Sequence, residues 1–166
     1  STTMFYNFSF LIKENWILMT DFSHSVIIQK EEIDVSNQIY LLKNSSEKIN
    51  KNNIGAIVSF VGSVRDINEG DKIMSMFIEH YPEMTEACIN KILISSNRKW
   101  PIFSARVVHR IGLLTPGENI VFVGVTSSHR KASFDACEYI MDYLKTRAPF
   151  WKKEETEDGS RWVKAK

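Results

Sequence analysis

Two lysines, Lys145 and Lys152, stand seven residues apart in the stretch DYLKTRAPFWKK, with Arg147, Pro149, Phe150 and Trp151 between them. A proline and two bulky aromatics in so short a run stiffen a turn, and a stiff turn can aim both ammonium groups into one pocket. There, mutual repulsion and partial loss of water lower a lysine's proton affinity toward neutral pH, fitting it for nucleophilic or acid/base work. The plainer arrangement has Lys145 complementing the negative end of a helix, Lys152 and Lys153 in water, and the aromatics plugging the core. The segment by itself is compatible with both.

A second group of basic residues lies upstream, in Ser127-Ser128-His129-Arg130-Lys131, at a predicted strand-to-helix junction. Free backbone N–H groups and the positive end of a helix dipole already favour an anion there. Cations at that end are unfavourable unless an anion compensates them, so their presence points to a phosphate; the alternative is a serine cap with surface basic residues. From His129 to Lys153 six Lys and Arg residues face three acids, a local charge of +3, whereas the whole chain carries only +1. That balance gives no global reason to expect nucleic acid or an anionic membrane as a partner. Arg65 leaves a predicted strand just after Gly62, where the backbone can approach a ligand. His109-Arg110 ends another strand and is read as facing solvent or joining the anion site.

The 166 residues, 43% hydrophobic and 25% charged, suit one domain with a sizeable core. Two cysteines, Cys88 and Cys137, fall on helical patterns outside any CxxC pair, which argues against a disulfide framework or structural zinc and fits a reducing cytoplasm. The apolar start of the chain is broken by Lys13 and Glu14, so neither a signal peptide nor a membrane span is expected. Residues 1–25 are expected to be a poorly ordered extension and residues 26–166 a single domain.

The elements that must carry these residues follow from periodicity. Strands are expected at Val26–Gln29, at Ile54–Val61 as a largely buried strand, and at Ile73–Tyr81 after a turn at Asn68–Asp71. A helix with Thr85 as N-cap runs to Lys99. Phe103–Arg110 and Ile120–Val125 are expected to pair as a hairpin around the Pro116-Gly117 turn. A second main helix, capped within Thr126–Ser128, runs to about Lys145 with Phe134, Cys137, Met141 and Leu144 on one face. The class is α+β, with mixed or antiparallel sheets and two main helices.

Together the segments GAIVSFVGSVRD, FIEHYPEMTEACI, VVHRIGLLTPGENIVFVGVTSSHRKASFDACEYIMDYLKTRAPFWKKE and GSRWV resemble the catalytic large subunit of molybdopterin synthase over residues 26–163. LKTRAPFWK after an SHR-type helix start is their most specific part. The resemblance implies an α/β-hammerhead fold and a cytoplasmic enzyme that converts cyclic pyranopterin monophosphate into molybdopterin. It implies sulfur delivered as a thiocarboxylate on the C-terminal Gly-Gly tail of a small ubiquitin-like subunit, a homodimer within a heterotetramer, and no metal or organic cofactor. Lys145 and Lys152 match the family's active-site lysines. Arg65, His129, Arg130 and Arg161 match its substrate-binding basic residues, with Arg161 a candidate to reach across a dimer, and Glu154 matches a position nearby. The alternative is a non-catalytic module that docks a ubiquitin-like tail. A nucleotide sensor is disfavoured because the chain has no GxxxxGK[ST] or GxGxxG loop, and a cysteine persulfide sulfurtransferase would need Cys88 or Cys137.

Overall fold

The computed structural model describes residues 22–164. The chain runs β1 (Ser23–Gln29), α1 (Val35–Lys43), a 3-10 turn (Lys51–Asn53), β2 (Ala56–Ser63), β3 (Ile67–Asn68), β4 (Asp71–His80) and α2 (Met84–Lys99). There follow β5 (Ile102–Arg110), β6 (Gly112–Leu114), β7 (Asn119–Ser127), α3 (Arg130–Thr146), β8 (Phe150–Thr156) and β9 (Gly159–Trp162). The first strand begins three residues before the boundary expected at Val26, because Ser23 to Ser25 already pair with Ser104 to Arg106. Residues 1–21 of the expected extension lie outside the described residues, and Phe22 packs against the core.

Two sheets organise the α+β architecture. The first has the order β1-β5-β7-β2, with β1 parallel to β5 and the other pairs antiparallel. The second, entirely antiparallel, has the order β3-β4-β8-β9, with the short β6 also on β4. α2 and α3 cover one face of the first sheet, where Ile89, Leu93, Ile140 and Leu144 meet Ala105, Val107, Val123 and Val125. The shorter α1 covers the opposite face around Val108 and Phe122. Burial on both faces is why β7 reads as a nearly continuous apolar run.

Several expectations shift for identifiable reasons. β2 is an edge strand paired only with β7, and Ile57, Phe60 and Val61 remain 36–42% exposed. Its apolar run mimicked a buried strand because composition does not distinguish an edge from a centre. β5 and β7 do pair, but the link between them is no simple hairpin: β6 leaves to join β4 in the second sheet before the Pro116-Gly117 turn, closed by Glu118 N–H on Thr115 O, returns the chain. The Asn68–Asp71 turn is as expected, a two-residue loop with Glu69 and Gly70 both at positive φ. The buried stripe of α3 is Ser133, Ala136, Cys137, Ile140 and Leu144, and Phe134 is 60% exposed. Phe134 lies three residues from Cys137 and yet falls off the face, since the true stripe is centred on positions 133, 137, 140 and 144.

Neither helix is capped as expected. α3 starts after His129 without a side-chain cap, because Thr126 and Ser127 still belong to β7. Ser127 Oγ donates instead to His129 O, leaving its lone pairs for the Ser133 hydroxyl 2.6 Å away. α2 starts at Met84 after Glu83, which takes φ 64° and makes no cap hydrogen bond, and Thr85 lies inside the helix.

Where β2 begins, its chain crosses the β7–α3 link so closely that a Cβ on Gly55 would lie 2.1 Å from the Ser128 carbonyl oxygen. A backbone oxygen cannot swing away as a flexible side chain can. Gly55→Ala is therefore expected to destabilise the fold by about 1–3 kcal/mol and to displace the Ser128-His129 link. Chemical denaturation measures the first effect, and an unchanged midpoint would show that the crossing yields.

Candidate active site

α3 delivers Lys145 in its last turn, and the chain then reverses at once. The N–H groups of Arg147 and Ala148 both reach Tyr143 O, at 2.8 and 3.0 Å, closing the helix. Phe150 N–H bonds Ala148 O at 2.8 Å across Pro149, and β8 begins. Because side chains alternate along a strand, Phe150, Lys152 and Glu154 share the inner face of β8, while Trp151 points outward and is 47% exposed. The turn thus brings Lys152 back toward Lys145. Lys152 is half-buried, and its proton affinity is lowered, first by loss of water and second by the Lys145 charge. Among the described residues neither lysine forms an ion pair with an acid. The depressed amine of the pair is Lys152.

Sequence alone missed what holds this turn. Thr85, taken as an N-cap, is fully buried inside α2. Its hydroxyl lies 2.8 Å from Tyr81 O and 3.2 Å from Pro149 O, and accepts Tyr81 N–H at 3.1 Å. It ties the start of α2 to the proline between the lysines. Below the turn, the ring of His109 stacks on Phe150, with centroids 3.8 Å apart and planes 14° off parallel. His109 was read as solvent-facing or part of an anion site, yet it is 3% exposed. An alternating strand ending in His-Arg carries no signal of which face the second sheet will cover.

Further along the same face of β8, Glu154 is 2% exposed and fully satisfied: Asn68 Nδ2 donates to its Oε1 at 2.7 Å and Arg161 Nε to its Oε2 at 3.1 Å. Arg161 also donates to Asp71 Oδ2 at 2.6 Å and to Asn68 O at 2.8 Å. With two carboxylates on it, Arg161 braces β3, β4, β8 and β9 and has few donors left for a substrate within this chain. Arg65 is exposed beside this network, held by one bond from Nη2 to Asn68 Oδ1 at 3.1 Å, and lines an open cleft of about 670 Å³ with Pro116 and Gly117. Its donors are largely free.

His129 and Arg130 lie elsewhere. Lys145 lies fifteen positions after Arg130 along α3, so the two ends stand about 22 Å apart at 1.5 Å per residue. His129 lines its own cleft of about 550 Å³ with Trp100, Phe103, Lys131 and Asp135, the last two ion-paired at 3.0 Å. One chain therefore unites the lysines, ties Arg65 to Asn68 beside the Glu154 network farther along β8, and leaves His129 and Arg130 at the other end of the helix.

Burial pushes the Cys137 thiol up to about 11, which leaves it an inert core group at neutral pH. Among the described residues no cluster of three or more His, Cys, Asp or Glu could hold a metal, and no helix is long and apolar enough to cross a membrane.

The low affinity of Lys152 for its proton has a stability consequence. Its folded pKa lies below the unfolded value of 10.5, so at neutral pH, under both, the penalty for the charged form is fully present, and it fades as pH rises through the folded pKa toward 10.5. Lys152→Met is expected to raise the thermal midpoint at pH 7 by a few degrees, with the gain shrinking at alkaline pH. A midpoint that falls at pH 7 would show that the ammonium is stabilised where it sits.

Residues 28–147 match the MoaE protein family. The chain is 58% identical over 113 residues to the molybdopterin synthase catalytic subunit of Pseudomonas aeruginosa, covering 68% of this chain and 75% of that protein. The crystal structure of molybdopterin synthase from Staphylococcus aureus is similar at TM-score 0.74 and 35% identity, covering 83% of this chain and 96% of that one. A complex of subunits 1 and 2 of molybdopterin-converting factor from Helicobacter pylori shares the fold at TM-score 0.67 and 19% identity, over 84% of this chain and 90% of that one.

Proposed function

Because this chain belongs to the MoaE protein family and is the catalytic subunit of a molybdopterin synthase, we propose that its sulfur-transfer chemistry takes place at Lys145 and Lys152. The observation that carries this reading is the pair itself: two amines without acidic partners, one of them depressed by burial and repulsion, converging on a proline turn braced from two sides. Structural lysines do not need such desolvation; a site for an anionic, reacting group does.

The substrate is cyclic pyranopterin monophosphate, and the sulfur arrives as a thiocarboxylate on the Gly-Gly tail of a small ubiquitin-like subunit. The thiocarboxylate sulfur forms a bond to a pterin side-chain carbon as the oxygen substituent on that carbon leaves with its bonding electrons; water then cleaves the acyl carbon–sulfur bond, which leaves the tail as a carboxylate and the sulfur on the pterin as a thiol. A second tail repeats the step to complete the dithiolene. Lys145, exposed at the rim, serves the tail carbonyl as acid and base, while Lys152 holds the anionic substrate and Arg65 its phosphate. The two-subunit complex of the Helicobacter pylori neighbour is in keeping with such a partner.

His129 and Arg130 enter through symmetry. A helix about 22 Å long between Arg130 and Lys145 cannot bring both ends to one pterin, and a homodimer can place the helix start of one copy over the lysines of the other. Both copies would then complete both sites.

Lys145→Ala is expected to lower single-turnover molybdopterin formation by roughly 10²-fold or more while leaving binding of the small subunit intact; retained turnover would favour a docking module. Mixing Lys145→Ala chains with Arg130→Ala chains is expected to recover about a quarter of wild-type activity, because half the dimers carry one undamaged composite site. No recovery would place all of these residues in one chain's site.

A further inference from the structure

The site's support includes a titratable ring to which the chemistry above gives no part. His109 is the penultimate residue of β5 in the first sheet, and Phe150 opens β8 in the second. Their rings lie 3.8 Å apart and 14° from parallel, so a single stack joins the two sheets. On β8 the residue two positions beyond Phe150, on the same face, is Lys152. We propose that His109 is the positioning residue of the lysine site: its stack on Phe150 sets where β8 leaves the Pro149 turn and therefore where Lys152 points. The inference rests on the reading of Lys152 as a site residue.

Three features fit an imidazole here better than an ordinary core side chain. The ring is flat enough to lie along Phe150. Its Nδ1 is 2.7 Å from Arg110 O, and since a carbonyl only accepts, Nδ1 must carry the proton and donate it. That bond fixes the ring plane from the β5 side, so the stack is held at both ends. The ring is also uncharged at neutral pH, and so adds no third cation beneath the lysines. Burial, Lys152 on β8 and His80 on β4 all disfavour its protonation, against the Arg110 carbonyl on β5, and together they lower its pKa to about 3. His80 is the cross-strand partner of Phe150, and Lys145 faces Lys152 from α3. These are the charged and titratable groups gathered around the stack.

The sign of the pH effect follows. The folded pKa lies below the unfolded value of 6.5, so the support from the neutral ring is complete above 6.5 and is lost as pH falls from there toward about 3. An ordinary aromatic in this place would show no such loss.

The test compares His109→Leu and Phe150→Leu, which remove the stack from either side, with His109→Phe, which keeps a flat ring. The first readout uses the full chain without substrate: competitive acylation of Lys152 by acetic anhydride across pH, followed by mass spectrometry, gives the apparent pKa of that amine. The second is kcat and KM of the complex with thiocarboxylated small subunit. Both Leu variants are expected to raise the apparent pKa of Lys152 toward that of a free lysine and to lower kcat roughly 10- to 100-fold with KM little changed. His109→Phe is expected to restore the lysine's pKa and most of the rate, and to flatten the acid loss of the thermal midpoint between pH 6.5 and about 4. A Lys152 pKa and a rate unaltered in folded Leu variants would overturn the proposal. If His109→Leu does not fold, Phe150→Leu breaks the same stack from its other side and decides the matter alone. Because acylation requires no turnover, the result stands even if the chain's chemistry proves to lie elsewhere.

Discussion

Two ammonium groups without an acidic partner repel each other, and the burial of one adds the cost of lost water. This tension between Lys145 and Lys152 is the constraint on which the surrounding structure depends. A flexible loop would relieve it by swinging one lysine into solvent. Here Lys145 is fixed by the end of α3 and Lys152 by the register of β8 against β4, where it lies opposite Ile78. The proline turn between them has its carbonyl beside the Thr85 hydroxyl and its first aromatic on His109. The rigid elements on either side are what allow an unfavourable charge arrangement to persist.

The second sheet serves the same end by other means. Glu154 brings a full negative charge into the interior, which is tolerable because Asn68 and Arg161 satisfy both of its oxygens. That network fixes the far end of β8 just as the aromatic stack fixes its start. Lys152 lies between two anchored points on a single strand. Arg161, matched by resemblance to a substrate-binding position, is in this chain chiefly the cation that keeps Glu154 buried.

What could be read from the sequence was local, and what could not was the meeting of distant segments. The lysine turn announced itself because Pro149, the aromatics and both lysines fall within a single short stretch. The two main helices and strands β1, β2, β4, β5 and β7 followed from periodicity, and the α+β class from them, whereas α1, β8 and β9 were not read. The edge position of β2 was hidden because an apolar run looks the same at the centre of a sheet and at its rim. Thr85 looked like a cap because a threonine before a helical pattern usually is one, and its bond to Pro149 spans 64 residues. The detour of β6 to the second sheet occupies three residues and left no signature in their types. His129 and Arg130, read as a group separate from the lysine turn and joined to it only by the resemblance, stand at the other end of α3, a separation that their spacing implied.

α3 is also a ruler. It is a rod with basic groups at both ends, buried along one stripe from Ser133 to Leu144 against the first sheet. Each residue added to it would lengthen the rod by about 1.5 Å and turn one end by about 100° relative to the other. The buried stripe would then disagree with itself, and one set of basic groups would face a new direction. Loops around the molecule can vary in length; the span between Arg130 and Lys145 cannot, so the helix serves as the gauge that holds the two basic regions at a fixed separation and a fixed angle.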